Sequence, residues 1–374
     1  MINETRLAGN FIALTRLDSE SGEEAPVRDY LLQRMQEWGY DCREDDSAEV
    51  LNGDSGNLLA RIPGRGPGLP LLFSSHMDTV KPGKGVAAKL GPDRIIRSLG
   101  ATILGGDNKA GIAAILEAVE LLREQGQHHP PLELLFTVRE EQGLLGARHF
   151  QMSQLQASQA YVLDSGGPPG SIVVQSPSQY DLTYRVWGKA AHAGMHPEQG
   201  LNAIHVMAQA LAQIPCGRLN EDTTCNLGMI EGGQARNIVA AECWTRGEAR
   251  SLRPDQLEEL VDQLEYNFLK AVEAAGAKGS VERTLLYSAV SYNTGDAVVQ
   301  LAQRAAENIG LKVSFDRSGG GSDASVINQA LPCLNLGIGM SQVHTVDEYI
   351  GLDDLVNTVR WILEIIRLAG EPDA

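Results

Sequence analysis

The stretch NKAGIAAILEAVELLREQGQHHPPLELLFTVREEQG, residues 108–143, contains the two elements from which the architecture is read. Its first half, Asn108–Gln125, carries apolar residues at helical spacing and stops at Gly126. Its second half holds Leu132–Thr137, a short and mostly apolar run that reads as a strand. Working outward, Leu58–Ile62, Leu69–Ser74 and Ala160–Leu163 are runs of the same kind, bounded by Gly, Pro or charged residues. Two helices, over 4–18 and 24–38, open the chain, and Ser21 with Glu24 has the form of a capping box for the second. Short apolar strands alternating with helices predict an α/β sheet buried on both faces.

The middle of the chain follows a different pattern. Tyr180–Trp187 alternates polar and apolar side chains, Leu201–Gln213 is helical, and Asn226–Glu231 and Ala241–Arg250 are strand-like. Arg253–Ala275 is a long amphipathic helix closed by Gly276. This order predicts an α+β module with one open sheet face. From about residue 289 the first pattern resumes, with helix Asp296–Ile309, runs Lys312–Phe315 and Cys333–Gly337, and a last helix Leu352–Leu368. The expected organisation is one domain of residues 1–176 and 289–374, interrupted by a second of residues 177–288.

Among the 374 residues, 31 Lys and Arg face 48 Asp and Glu, a formal net charge of −17. Such an excess repels phosphate backbones and argues against a nucleic-acid partner. No uncharged apolar run approaches the roughly 18 residues of a membrane helix, so no membrane partner is expected. The acidic N-terminus lacks the basic-then-apolar form of a signal peptide, and a cytoplasmic location is expected. Five scattered cysteines without CxxC spacing argue against a disulfide framework and a thiolate zinc site. Any metal would be held by His and carboxylates.

In α/β sheets, ligands collect beyond the carboxyl ends of strands. Leu71–Ser75 leads into His76-Met77-Asp78, Ile103–Gly106 into Asp107-Asn108-Lys109, and Leu134–Val138 into Glu140-Glu141. Val162-Leu163 leads into Asp164, and Gly337–Val343 into His344. Singly, each has an ordinary reading as a surface histidine, a turn residue or a solvated acid. Asp107 either caps the helix after it or, following Gly105-Gly106, sits where backbone approaches a ligand closely. Adjacent Glu140 and Glu141 point in different directions and can do different work. Two His and several carboxylates at one sheet edge count against coincidence. The loop Gly319–Asp323 is either flexible or offers backbone N–H groups to an anion, and the phosphate-loop pattern GxxxxGK[ST] is absent. His128-His129 before Pro130-Pro131 reads as a turn.

These segments, with His192-Ala193-Gly194, Gly320-Gly321-Ser322-Asp323-Ala324 and His344-Thr345, occur in an order that resembles the M20 metallopeptidases, and within them the peptidase T-like aminopeptidases. The resemblance spans about residues 75–345. It implies a zinc-exopeptidase-like catalytic domain, with a mixed, mainly parallel sheet between helices, plus an inserted lid or dimerisation domain. It further implies two zinc ions per subunit, with Mn or Co also suited to the donors. Asp107 would bridge them, His76 and Asp164 completing one site and Glu141 and His344 the other. Glu140 would be the general base, and Asp78 would orient His76. The Asp107–Asn108 peptide is expected to be cis.

By the same resemblance, His192 would reach a neighbouring subunit's site in a homodimer formed through the lid. Asn237, Arg250, Gly320, Gly321 and Ser322 match substrate-binding positions, Arg250 pairing with a substrate carboxylate. Aspartate at 164 favours an aminopeptidase acting on small peptides. An M20 amidohydrolase acting on N-acyl amino acids, and a non-catalytic metal- or peptide-binding protein on this scaffold, are the alternatives.

Overall fold

The computed structural model describes residues 2–371, which pack as two units. The first takes the chain up to Val174, Ser291–Ser318 and the chain from Ser322 onward; the second takes Gln175–Val290 and Gly319–Gly321.

The first unit is built on a nine-stranded sheet. Its spatial order is Asp41–Glu44, Leu58–Ile62, Leu132–Thr137, Leu71–His76, Gln159–Ser165, Cys333–Gly337, Ser171–Ser176 and Val290–Ser291, with Ser314–Arg317 paired to Ser171–Ser176. Leu71–His76 pairs in parallel with Leu132–Thr137 on one side and Gln159–Ser165 on the other, and Gln159–Ser165 pairs in parallel with Cys333–Gly337. The flanking pairs are antiparallel, so the sheet is mixed with a parallel centre.

Every residue of Leu71–His76 and of Leu132–Thr137 is buried, as their apolar runs require of strands covered on both faces. Consecutive residues face opposite layers: Phe73 joins a core with Phe11, Tyr161 and Trp361, whereas Leu72 joins one with Leu135, Phe150 and Ile327. Helices Glu4–Thr15, Gly106–Gln125, Ala297–Asn308 and Leu352–Ala369 supply the first layer. Trp361, the bulkiest fully buried side chain, satisfies its indole N–H on the Ala302 carbonyl at 2.8 Å.

The structure departs from the sequence reading in two ways. The capping box does not form: helix Ala25–Trp38 starts without a side-chain cap bond. Ser21 Oγ instead donates to Asp78 Oδ2 at 2.6 Å, and Glu24 Oε1 accepts the N–H of Gly22 at 2.8 Å and of Arg139 at 3.2 Å. Tertiary partners outcompete the local ones. Second, the strands Asp41–Glu44 and Ser171–Ser176, and a small sheet of Ala88–Leu90, Ile95–Ser98 and Tyr349–Gly351, were not foreseen. They are three to six residues long, too short to carry a clear alternating pattern.

The second unit is a five-stranded antiparallel sheet in the order Gly217–Arg218, Thr223–Gly232, Glu242–Ser251, Ser178–Trp187, Lys278–Tyr287. Leu182, Tyr184 and Val186 alternate inward and pack with Met207, Val261 and Phe268 from helices Ala203–Leu211 and Pro254–Ala274. Lys278–Tyr287 escapes a sequence reading because it is an edge strand whose residues are exposed or half-buried, all but Tyr287. At the other side, Gly217–Arg218 and the turn after it cover Thr223–Cys225, and among the described residues no strand pairs with the outer side of the rest of Thr223–Gly232.

Candidate active site

The parallel strands bring their carboxyl ends to one edge of the sheet. His76 ends its strand opposite Thr137, the last residue of the neighbouring strand, and Asp164 lies near the end of the strand on the other side. Past Thr137 the chain turns through Arg139 into a single 3-10 turn, Glu140–Gln142. Arg139 and His344 hold φ of 50° and 64°, in the left-handed region that few non-glycine residues occupy. Such departures concentrate at functional sites. Asp107 precedes the regular part of helix Gly106–Gln125, its own φ and ψ and those of Asn108 being non-helical. The Asp107–Asn108 peptide is cis.

These segments converge on Asp107. His76 Nε2 lies 3.1 Å from Asp107 Oδ1 and 3.5 Å from Asp164 Oδ1. His344 Nε2 lies 3.2 Å from Asp107 Oδ2 and 2.9 Å from Glu141 Oε1. Two donor groups result, His76/Asp107/Asp164 and Asp107/Glu141/His344, with the donor atoms of each within 4.8 Å of one another. They share Asp107, which turns one carboxylate oxygen to each. A third group, His76/Glu140/Glu141, places Glu140 beside them.

Asp78 holds two of these segments together. Its carbonyl oxygen lies 2.9 Å from His76 Nδ1 and its carboxylate 3.3 Å from the same nitrogen, which leaves Nε2 to face Asp107. The same carboxylate accepts the backbone N–H of Glu140 at 2.9 Å and of Glu141 at 3.2 Å. Asn108 Nδ2 donates to Asp164 Oδ1 at 3.0 Å, and Asn335 receives the Asp164 N–H while its own amide group reaches Ser322 Oγ at 3.1 Å.

The electrostatics are those of crowded, buried acids. Burial pushes the Asp164 carboxyl up to about 8, with neighbouring Asp107 adding to the rise that the His76 bond opposes. Burial and then the Asp164 charge hold Glu140 well above the carboxylate range. Burial lowers the His76 pKa, but its bonds to Asp107, Asp164 and Asp78 outweigh this and raise it well above the usual value. Bonds to Asp107 and Glu141 raise His344 to about 10. Asp107 itself is lowered, the two histidines overriding its burial. Imidazole nitrogens and carboxylate oxygens in two groups sharing one acid fit divalent cations of the zinc, manganese or cobalt type, whose charge would offset this crowding.

The other singled-out residues fall in the second unit, apart from Ser322. Arg250 donates to both carboxylate oxygens of Glu248, at 3.0 and 2.9 Å, and packs near Gly320. Gly321 donates its N–H to Tyr287 Oη at 3.0 Å, and a Cβ there would collide with the Tyr287 ring. His192 is exposed, its Nδ1 accepting the N–H groups of Gly194 and Met195 at 3.2 and 3.1 Å. Ala193 N–H donates to the carbonyl of exposed Asn237 at 3.0 Å, so those two loops adjoin. Ser21 and Glu24, read in the sequence only as a helix cap, and Asn335 and Glu348, not singled out there, each take a partner 57 to 244 positions away. No local pattern announces such contacts.

Comparison with known proteins agrees with this geometry. The family model described as peptidase family M20/M25/M40 matches residues 72–368, and the chain belongs to that family, whose members are metal-dependent hydrolases acting on peptides. The chain is 39% identical over 372 residues to the protein YqjE of Bacillus subtilis, covering 99% of this chain and all of that one. A crystal structure of aminopeptidase PepT from Bacillus cereus superposes with a TM-score of 0.89 at 38% identity, covering 99% of this chain and 100% of that one. A tripeptidase from Staphylococcus aureus superposes with a TM-score of 0.92 at 36% identity, covering 99% of each chain.

Proposed function

We propose that this chain is a metallo-aminopeptidase, holding two zinc ions per subunit and removing the N-terminal residue of small peptides. The observation that carries the reading is Asp107, with Oδ1 turned to His76 and Oδ2 to His344. The activities named for the Bacillus cereus and Staphylococcus aureus relatives supply the substrate class. His76 and Asp164 would hold one ion and Glu141 and His344 the other, Asp107 serving both. Bound there, two divalent cations would polarise the scissile carbonyl and make water more acidic.

The chain's own groups do the rest. Glu140 takes a proton from the attacking water on its carboxylate and delivers it to the leaving amine nitrogen as the C–N bond breaks. Asp78 keeps the His76 ring oriented and pins the Glu140-Glu141 turn through two backbone N–H groups. Arg250, with Gly320, Gly321, Ser322 and Asn237, binds the substrate, the guanidinium taking a peptide carboxylate in a bidentate fork. His192 donates to the oxyanion from a second copy. The chain up to residue 176 and from 289 serves catalysis, and residues 177–288 serve as lid and dimer contact.

Dialysis against a chelator is expected to abolish cleavage of di-, tri- and tetrapeptides with a free N-terminus, and Zn²⁺, Mn²⁺ or Co²⁺ to restore it. Faster hydrolysis of N-acetyl amino acids, or full activity without metal, would overturn the assignment.

The homodimer would form at the open edge of Thr223–Gly232. Met229 and Ile230 stand there 56% and 59% exposed, an apolar pair on a strand whose inner side alone is paired, to Glu242–Ser251. The double substitution Met229→Glu, Ile230→Glu is expected to convert the dimer to monomer in sedimentation velocity; a monomeric native protein would refute it. A cytoplasmic location accords with five free cysteines. Among the described residues, no helix is long and apolar enough to cross a membrane. Recovery of the protein from a secreted fraction would overturn that location.

A further inference from the structure

Four residues beyond His344, the side chain of Glu348 is 2% exposed and is spent entirely on a distant loop. Its Oε2 accepts the backbone N–H of Leu104 and of Gly105, both at 2.8 Å, and its Oε1 accepts that of Asp107 at 3.0 Å. The loop bends through Gly105, whose φ is 72°, so that these N–H groups converge on one point. Such a concavity of N–H groups ordinarily receives an anion, and here the chain's own carboxylate fills it. Gly106 leaves the room: a Cβ there would stand 3.0 Å from Glu348 Oε1. Fully buried Lys109, bonded to the Leu17 carbonyl at 2.6 Å, supplies a nearby positive charge.

The other end of Glu348 is equally fixed. Ser341 and Tyr349 exchange two backbone hydrogen bonds at 3.1 Å, and Glu348 N–H donates to the Thr345 carbonyl at 3.2 Å, closing a loop that holds His344 and Glu348 together. We infer that Glu348 is a positioning residue: it fastens the His344 loop to the Asp107 loop and so sets the relation between the two groups on which the shared donor arrangement depends. This rests on the metal-centre reading above. Glu348 touches neither substrate nor donor side chains; it acts by fixing backbone.

Glutamine at this position keeps one acceptor oxygen but turns an NH₂ toward N–H donors, and aspartate is too short to span both oxygens' partners. In metal-free Glu348→Gln and Glu348→Asp, amide exchange at Leu104, Gly105 and Asp107 is expected to accelerate at least about tenfold. In chelator competition, Zn²⁺ affinity is expected to fall roughly 10–100-fold, as when a ligand's support is removed. The loss in peptide hydrolysis is expected in kcat with KM little changed.

Exchange within twofold of the native protein and unchanged Zn²⁺ affinity would overturn the inference, whatever the variants' melting temperatures. Should neither variant fold, exchange in the native protein decides: unprotected amides at those three positions overturn it, and protected ones support it. Native protein that binds no Zn²⁺ would sink the metal-centre reading instead, and the metal-free exchange result would still stand on its own.

Discussion

Glu140→Gln is expected to lower kcat for peptide hydrolysis by roughly 10²–10⁴-fold while the protein folds and binds metal as before. Glutamine keeps the size and hydrogen-bonding shape of the side chain but has no lone pair basic enough to accept the water proton. The surrounding structure holds independently of the carboxylate, since Glu140 is anchored by its backbone N–H on Asp78 Oδ1 at 2.9 Å. Burial and the neighbouring Asp164 raise its pKa well above the carboxylate range, giving it the proton affinity that a shuttle between water and amine needs. Cations bound beside it would bring that value back toward neutrality. The measurement is steady-state kinetics on a tripeptide beside metal analysis of the same preparation. Turnover within a few-fold of native, at equal metal content, would remove Glu140 from its proposed role.

The second large effect is expected from Asp107→Asn. Asp107 offers one oxygen to the His76 group and the other to the His344 group, so the amide spoils one of them whichever way it is turned. Losing that charge also lowers the pKa of both histidines and frees their neutral imidazoles for a cation, but this gain does not offset the loss of the shared anionic donor. Bound metal and kcat/KM are expected to fall together, by more than the roughly 10–100-fold typical of residues that only support a ligand. Metal content and peptide hydrolysis measured across a Zn²⁺ titration test this. Native stoichiometry and affinity in Asp107→Asn would show that the two groups do not share this acid.

The two substitutions separate the roles. Glu140→Gln should lose turnover with metal retained, and Asp107→Asn should lose both. If both retained metal and lost activity, the shared-acid arrangement would be wrong and the base assignment would survive.

The α/β framework was legible because each of its central strands is buried on both faces. Leu132–Thr137 and Cys333–Gly337 occur where their apolar runs stand in the sequence. Leu352–Ala369 and Pro254–Ala274 lie within a residue or two of their periodic patterns, because long amphipathic helices advertise a core-facing stripe. Lys278–Tyr287 and the small sheet containing Tyr349–Gly351 were not legible. Lys278–Tyr287 is an edge strand whose apolar residues do not alternate with its burial, and Tyr349–Gly351 has only three residues, too few to show a period of two.

At the candidate site the same division holds. His76, Asp107, Glu140, Glu141, Asp164 and His344 could be picked out because each follows an apolar run or a glycine pair, and parallel strands must deliver their carboxyl ends to one edge. Sequence alone therefore determined the fold class and which side chains gather. Tertiary structure decided how they are held. Ser21 and Glu24, locally a plausible helix cap, were drawn instead to Asp78 and Arg139, and Glu348 was drawn to Leu104, Gly105 and Asp107. The physical reason is that a carboxylate can satisfy any buried N–H within reach. Which ones come within reach depends on loops brought together by packing some 57 to 244 residues along the chain, and hydrophobic periodicity carries no record of that.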